Sequence, residues 1–295
     1  MSTSNGSNPP QGSASGASSG EGNPAVAALL TWLIPGAGHF YLGKMRTALI
    51  AFLCIEGLYV AGVLLSKGMF LQILPPEMRG RFAAALTPEA GNLGALLLHV
   101  RQYGFGGPVP QAFPDGLQLG VILTASAGIA NLILCSRAHF DARASVGRVN
   151  ESAAPHPGAA ALVGWLLPGA GHVMQGRKVR GAVAFVLVLL LFAVGCYLAG
   201  GTNLDRARHF YYWAGQSLLG PVAFLTEIAH GHPVMDERVP YADAGVVLSS
   251  VAGMLNVLLL LDVYGYSDAK RFGRPVATDV PSSESENGPF DVSTS

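Results

Sequence analysis

The sequence Trp-Leu-Ile-Pro-Gly-Ala-Gly-His at residues 32–39 decides the fold, because it returns as Trp-Leu-Leu-Pro-Gly-Ala-Gly-His at residues 165–172. Each copy follows a short apolar segment. Proline removes a backbone donor and clashes with the preceding helical turn, and the two glycines raise the entropic cost of continuing the helix. Each copy therefore predicts an interrupted helix. The residues that define the interruption are Trp32, Pro35, Gly36 and Gly38 in the first copy and Trp165, Pro168, Gly169 and Gly171 in the second.

The two motifs belong to a tandem repeat. Aligning each residue with the one 133 positions later gives 12 identities in 20 over residues 24–43. A second block aligns at an offset of 125, so that Gly120, Thr124, Gly128 and Asn131 fall on Gly245, Ser249, Gly253 and Asn256. Each repeat is predicted to contain a broken apolar segment, a full helix, a loop and a small-residue helix. Small residues let helices approach closely, so we expect these two helices to form the seam between the repeats.

Four segments are long and apolar enough to cross a bilayer, and each has 18 to 20 residues: 48–65, 117–135, 181–200 and 244–261. About 20 helical residues cover the hydrocarbon core. Only 12% of the residues are charged, against about 25% in soluble domains. The composition predicts an all-α integral membrane protein whose main partner is the lipid bilayer. The net charge of zero gives no support for binding to nucleic acid.

The broken segments leave two topologies open. If they re-enter, the chain has four full transmembrane helices plus two broken or re-entrant helices, in two parallel pseudo-repeats. If they cross, it has six spans and inverted repeats. The four-span arrangement places 11 of the 18 Lys and Arg residues on the cytoplasmic side, whereas six spans divide them ten to eight at best. The positive-inside rule therefore favours four spans.

The repeats and their flanks set the domain boundaries. We expect a disordered tail at residues 1–23, membrane repeat 1 at 24–143, a linker at 144–156, membrane repeat 2 at 157–274 and a second disordered tail at 275–295. The first tail is rich in Ser and Gly. It lacks the basic start and apolar core of a secretory signal.

These motifs resemble an uncharacterised bacterial family of small multi-pass membrane proteins built around Trp-x-x-Pro-Gly-Ala-Gly-His. Residues 40–44, Phe-Tyr-Leu-Gly-Lys, are distantly similar to the two-transmembrane-helix domain. In the uncharacterised family a later helix carries Asn, an apolar run and Asp, here Asn256 and Asp262. The first repeat keeps Asn131 but has Arg137 where Asp262 falls. The resemblance implies a domain of unknown function in a membrane, and it implies no reaction.

Three ionisable residues are candidate functional groups. Glu56 lies in the middle of the first span, where a charge is costly and points to function. It is expected to be protonated and packed, or paired with His39 or His172, and a structural hydrogen bond is favoured over transport or proton handling. We interpret the two histidines as side chains that satisfy carbonyls freed by the breaks. The alternative is a pair of gates that titrate near neutral pH.

A metal site is a weaker possibility in the loop of the second repeat. His230 and His232 lie near Asp236 and Glu237, and such side chains ligate zinc. No third ligand has a diagnostic spacing, so we expect neither a metal nor a cofactor.

The sequence favours a non-enzymatic protein. We expect it to organise or assemble other envelope components through membrane-protein partners. The alternative is a small transporter or channel that uses the broken-helix region and Glu56, since transporters bind ligands where interrupted helices meet. No sequence feature indicates the oligomeric state.

Overall fold

The computed structural model describes residues 22–74, 80–105, 112–233 and 239–276. Twelve α-helices and no β-strand occur in these ranges. The two predicted tails lie almost entirely outside the described residues.

The first repeat is built from six helices and one short 3₁₀ turn at Pro88–Gly91. The helices are α1 Pro24–Leu33, α2 Ala37–Tyr41, α3 Met45–Leu65, α4 Arg81–Ala85, α5 Leu93–Tyr103 and α6 Leu117–Val146.

The second repeat follows the same order. Its helices are α7 Pro157–Leu166, α8 Ala170–Met174, α9 Lys178–Leu198, α10 Phe210–Ser217, α11 Pro221–His230 and α12 Ala242–Arg271. Among the described helices, α3, α6, α9 and α12 are long and apolar enough to cross a membrane. The prediction of an all-α membrane protein with four such helices is confirmed.

The first broken segment returns to the end of the bundle from which it starts. Asn23, at the start of α1, donates its amide proton to the Tyr41 hydroxyl at the end of α2, over 3.2 Å. Ala27 packs against Ala138 and Ala142 near the end of α6. Both ends of the segment therefore lie beside the same end of α6. This re-entrant path agrees with the four-span arrangement, since only α3, α6, α9 and α12 of the described helices are long and apolar enough to cross a membrane.

A second inserted element approaches each re-entrant helix from the opposite end. In the first repeat this element is the 3₁₀ turn with the start of α5, and Ala90 accepts a hydrogen bond from the Trp32 indole at 2.8 Å. In the second repeat it is the turn between α10 and α11, where Gly220 packs against the Trp165 backbone. Each repeat thus holds two inserted elements that meet at mid-bundle.

The small-residue faces pack inside each repeat. A Cβ atom on Gly62 of α3 would lie 2.6 Å from the Gly120 carbonyl of α6. A Cβ atom on Gly195 of α9 would lie 2.8 Å from the Gly245 carbonyl of α12. The prediction that these faces form the seam between repeats was wrong, because the glycines bring each long helix against the full helix of its own repeat.

The seam between repeats is made by larger side chains. Helix α6 packs against α7 and α11. Trp165, Trp213 and Phe224 of the second repeat share one buried cluster with Val121 and Ile129 of α6. Aromatic and branched side chains bury large apolar areas, and they join the repeats into one body.

The topology can be tested by labelling cysteines in a background where Cys54, Cys135 and Cys196 are replaced by Ala. We expect Ser19→Cys and Arg46→Cys to be labelled from one side of sealed membranes and Arg208→Cys from the other. Arg208 is chosen because it is exposed, whereas Arg206 is buried. Labelling of positions 19 and 46 from opposite sides would contradict the re-entrant path.

The close approach of α3 and α6 predicts that one added methyl group has opposite effects at two glycines. Gly62→Ala should lower the free energy of unfolding by about 1–3 kcal/mol through overpacking. Gly57→Ala adds its methyl group where nothing lies within 4 Å, and it should be neutral or stabilising by up to about 1 kcal/mol. Thermal unfolding in detergent measures both variants. Equal effects would refute the packing argument.

Candidate functional site

The repeated motif forms the same tight reversal in both repeats. Ile34 leaves α1 in an extended conformation, and Gly36 follows at φ 83°. Gly169 takes the equivalent φ of 80°. A positive φ is strained for any residue with a side chain, and Ala48 and Gly181 approach these glycines too closely to admit one. The backbone conformation and the close packing at these two positions therefore require glycine.

The motif histidine of the first repeat faces a carboxylate on α6. Nε2 of His39 lies 3.6 Å from Asp141, and the Lys44 ammonium lies 3.0 Å from the same carboxylate. Arg137, one turn earlier on α6, lies 4.0 Å away. His156 completes the cluster at 3.0 Å. We call these five residues the Asp141 cluster.

His156 couples this cluster to the second repeat. Its Nδ1 accepts a hydrogen bond from the Gly158 amide and so caps the start of α7. Nε2 therefore carries the proton and donates it to Asp141. Asp141 thus links the first re-entrant segment to the first turn of the second.

The motif histidine of the second repeat has an equivalent arrangement. Nε2 of His172 lies 2.9 Å from Asp262, and the guanidinium of Arg177 lies 2.8 Å from the same carboxylate. Arg180 lies 3.7 Å away. Arg177 also stacks on the ring of Tyr266, 4.6 Å from its centroid. We call His172, Asp262, Arg177 and Arg180 the Asp262 cluster.

The two clusters use carboxylates at different helix positions. At the offset of 125, Asp262 matches Arg137 and Asp141 matches Tyr266. The carboxylate has moved by four residues, which is about one helical turn, so it stays on the same face. The motif histidines meet carboxylates, not the carbonyls freed by the break, so our interpretation of their role was wrong. They also lie in separate clusters and do not pair with each other.

Asn131 and Asn256 hold the inserted elements. The Asn131 side-chain amide donates to the Thr31 and Gly91 carbonyls, each at 2.9 Å. Asn256 donates to the Leu218 carbonyl at 3.1 Å. Both side chains are completely buried. Each asparagine therefore binds inserted backbone of its own repeat.

Glu56 contacts neither motif histidine. Its carboxyl group accepts a hydrogen bond from the Asn92 side-chain amide at 3.0 Å. The predicted pairing with His39 or His172 was wrong, because those residues lie in the two clusters described above. This hydrogen bond joins Glu56 of α3 to the start of α5.

A buried ion pair joins the repeats at the opposite end of the bundle from Lys44. Arg206 binds Glu89 through two hydrogen bonds, at 2.7 and 3.1 Å. Thr124 also donates to Glu89 at 3.0 Å, and Arg206 lies over the ring of Trp213. The sequence analysis missed this pair, since the two residues lie 117 positions apart in loops. No motif spacing marks them.

The candidate metal ligands do not assemble among the described residues. His230 contacts the Thr226 carbonyl, and His232 contacts the Glu227 carboxylate at 3.3 Å. Asp236 and Glu237 lie outside the described residues. In the described ranges no group of three His, Cys, Asp or Glu side chains is placed to hold a metal ion.

The fold and these clusters define a helical membrane protein of two parallel repeats, each with a re-entrant segment held by a long helix. The chain belongs to DUF6677, a family of unknown function, which matches it twice, at residues 26–150 and 159–275. The two matches coincide with the two repeats. No curated protein and no solved structure matches the chain.

The two clusters predict unequal effects of the same substitution. The Asp141 side chain is only 6% exposed and Asp262 is 43% exposed. Asp141→Asn removes charged hydrogen bonds from a buried site and should lower the free energy of unfolding by about 1.5–3 kcal/mol. Asp262→Asn should cost at most about 1 kcal/mol, because the Asp262 side chain is itself exposed, although its partners His172 and Arg177 are 1% and 11% exposed. Denaturation in detergent at neutral pH compares them, and a larger effect at Asp262 would contradict this ranking.

Proposed function

We propose that this protein is non-enzymatic and organises or assembles other components of a bacterial cell envelope. We place it in the inner membrane, with the end of the bundle that carries Lys44 and Arg177 facing the cytoplasm. The positive-inside rule supports this orientation, since that end carries most of the basic residues.

The main support for the proposal comes from the contacts that the ionisable groups make within the chain. His39 and His172 each face a carboxylate that also binds a Lys or an Arg of the bundle. Glu56 is bound by Asn92. These contacts all connect one helix to another within the chain. Hydrogen bonds between helices hold Glu56 and His172, which supports a structural role, while His39 lies beside Asp141 without a hydrogen bond.

The alternative, a small transporter, draws on the inserted elements that meet at mid-bundle, where transporters bind their substrates. The packing at that point favours assembly. Gly94 lies so close to the Leu33 carbonyl that a Cβ atom would overlap it, and Gly220 is equally close to the Trp165 carbonyl. Backbone contact at both meeting points opposes a path between the elements.

Ion flux in sealed vesicles separates the two functions. We expect vesicles with purified protein to dissipate an imposed pH gradient no faster than protein-free vesicles, and Glu56→Gln to change nothing. A flux that falls in Glu56→Gln would overturn the proposal in favour of transport.

The assembly role has its own measurement. Deletion of the gene should alter the native-gel pattern of membrane complexes, and wild-type protein should restore it. Glu56→Gln serves as the matched control and should restore the pattern equally. An unchanged pattern after deletion would overturn the assembly role.

A further inference from the structure

The two repeats pack head to tail and not around a twofold axis. Helix α6 packs against α7, while α12 makes no comparable contact with α1 in the described part of the chain. A twofold arrangement would bury both helix pairs equally. A head-to-tail contact uses one face of each unit and leaves the opposite face of each unit uncovered.

The uncovered face of the second repeat lies on α12. Ile122 and Ile129 of α6 lie in the cluster that joins the repeats, and each is 5% exposed. Their equivalents at the offset of 125 are Val247 and Met254, which are 42% and 58% exposed. The face that α6 buries against the second repeat is therefore present on α12, apolar and without a protein neighbour.

The uncovered face of the first repeat lies on α1. Ala161 and Trp165, one turn apart on α7, are 4% and 5% exposed. Their equivalents are Ala28, which is half-buried, and Trp32, which is 36% exposed. The α1 face thus repeats the α7 face that packs against α6.

We propose that a second copy of this chain docks its α1 face on the α12 face, repeating between molecules the contact that α7 makes with α6. This inference rests on the proposed assembly function and names one of its partners. The occupant follows from the chain itself, because the two uncovered faces are equivalent to two faces that already bind each other. A head-to-tail contact of this kind builds a ring if it closes and a filament if it does not.

The internal contact sets the register. A Cβ atom on Gly158 would lie 2.6 Å from the Cβ atom of Arg137. The equivalent residue Ala25 carries a Cβ atom, so the two helices must lie slightly further apart between molecules than they do within the chain. Because α6 and α7 run antiparallel, we infer that Ile133 of α6 lies opposite Ala161 of α7, one helical turn deeper. The equivalent pair between molecules is Leu258, which is 61% exposed, and Ala28.

Disulfide trapping tests this register in native membranes, with Cys54, Cys135 and Cys196 replaced by Ala. Two differently tagged chains, one with Ala28→Cys and one with Leu258→Cys, should form a mixed dimer on oxidation. Neither variant alone should dimerise, because the contact is not twofold. A chain with both substitutions should give a ladder of dimers and larger species.

Two controls accompany the trapping experiment, and failure of the internal disulfide would overturn the register and the proposal with it. Ile133→Cys with Ala161→Cys should form a disulfide within one chain and so verify the register and the fold. Leu53→Cys, at a 60% exposed site on α3, replaces Leu258→Cys to measure random collision. The proposal is overturned if the internal disulfide forms while the mixed dimer does not exceed the Leu53 control, or if Leu258→Cys dimerises alone. A negative result here with a changed native-gel pattern would reject the second copy and leave the assembly role standing.

Discussion

The hydrogen bonds from Asn131 to the Thr31 and Gly91 carbonyls are the contacts on which the first repeat depends. Backbone that leaves the helical conformation inside an apolar bundle has no water to bind, so the protein must supply its partners. The buried side-chain amide of Asn131 binds carbonyls of two inserted elements, which enter the bundle from opposite ends. Asn256 donates a corresponding hydrogen bond to the Leu218 carbonyl in the second repeat. The repeat is therefore built around one polar residue on its longest helix.

The same constraint explains why the two repeats have diverged at their polar ends. Each motif histidine lies beside a carboxylate of the long helix of its own repeat, and α6 also packs against α7 of the second repeat. Asp141 lies one turn further along α6 than the position of Asp262, and from there it also reaches His156 at the cap of α7. In α12 that position is Tyr266, which stacks with Arg177 of its own repeat. The carboxylate that also binds the second repeat thus lies on α6, the long helix that packs against that repeat.

Local signals in the sequence predicted the architecture, whereas contacts between residues distant in sequence could not be predicted from it. Pro35 and Gly36 interrupt a helix wherever they occur, and repetition at Pro168 made the re-entrant reading testable against the charge distribution. The pairing of Glu89 with Arg206 depends on how two loops meet across the bundle, which no periodicity encodes. Asp141 was within reach of sequence reasoning, since a carboxylate one turn beyond Arg137 stays on the same helix face.

The two tryptophans show what the tandem order changes. Trp32 donates its indole proton to Ala90 and stays 36% exposed. Trp165 is 5% exposed, and its indole nitrogen has no hydrogen-bond partner. An unpaired buried donor is destabilising. In the second repeat, burial of the apolar Trp165 ring against α6 offsets this destabilisation. This offset requires a neighbouring repeat that covers the ring. The first tryptophan, which the described residues leave partly exposed, keeps its hydrogen bond to Ala90.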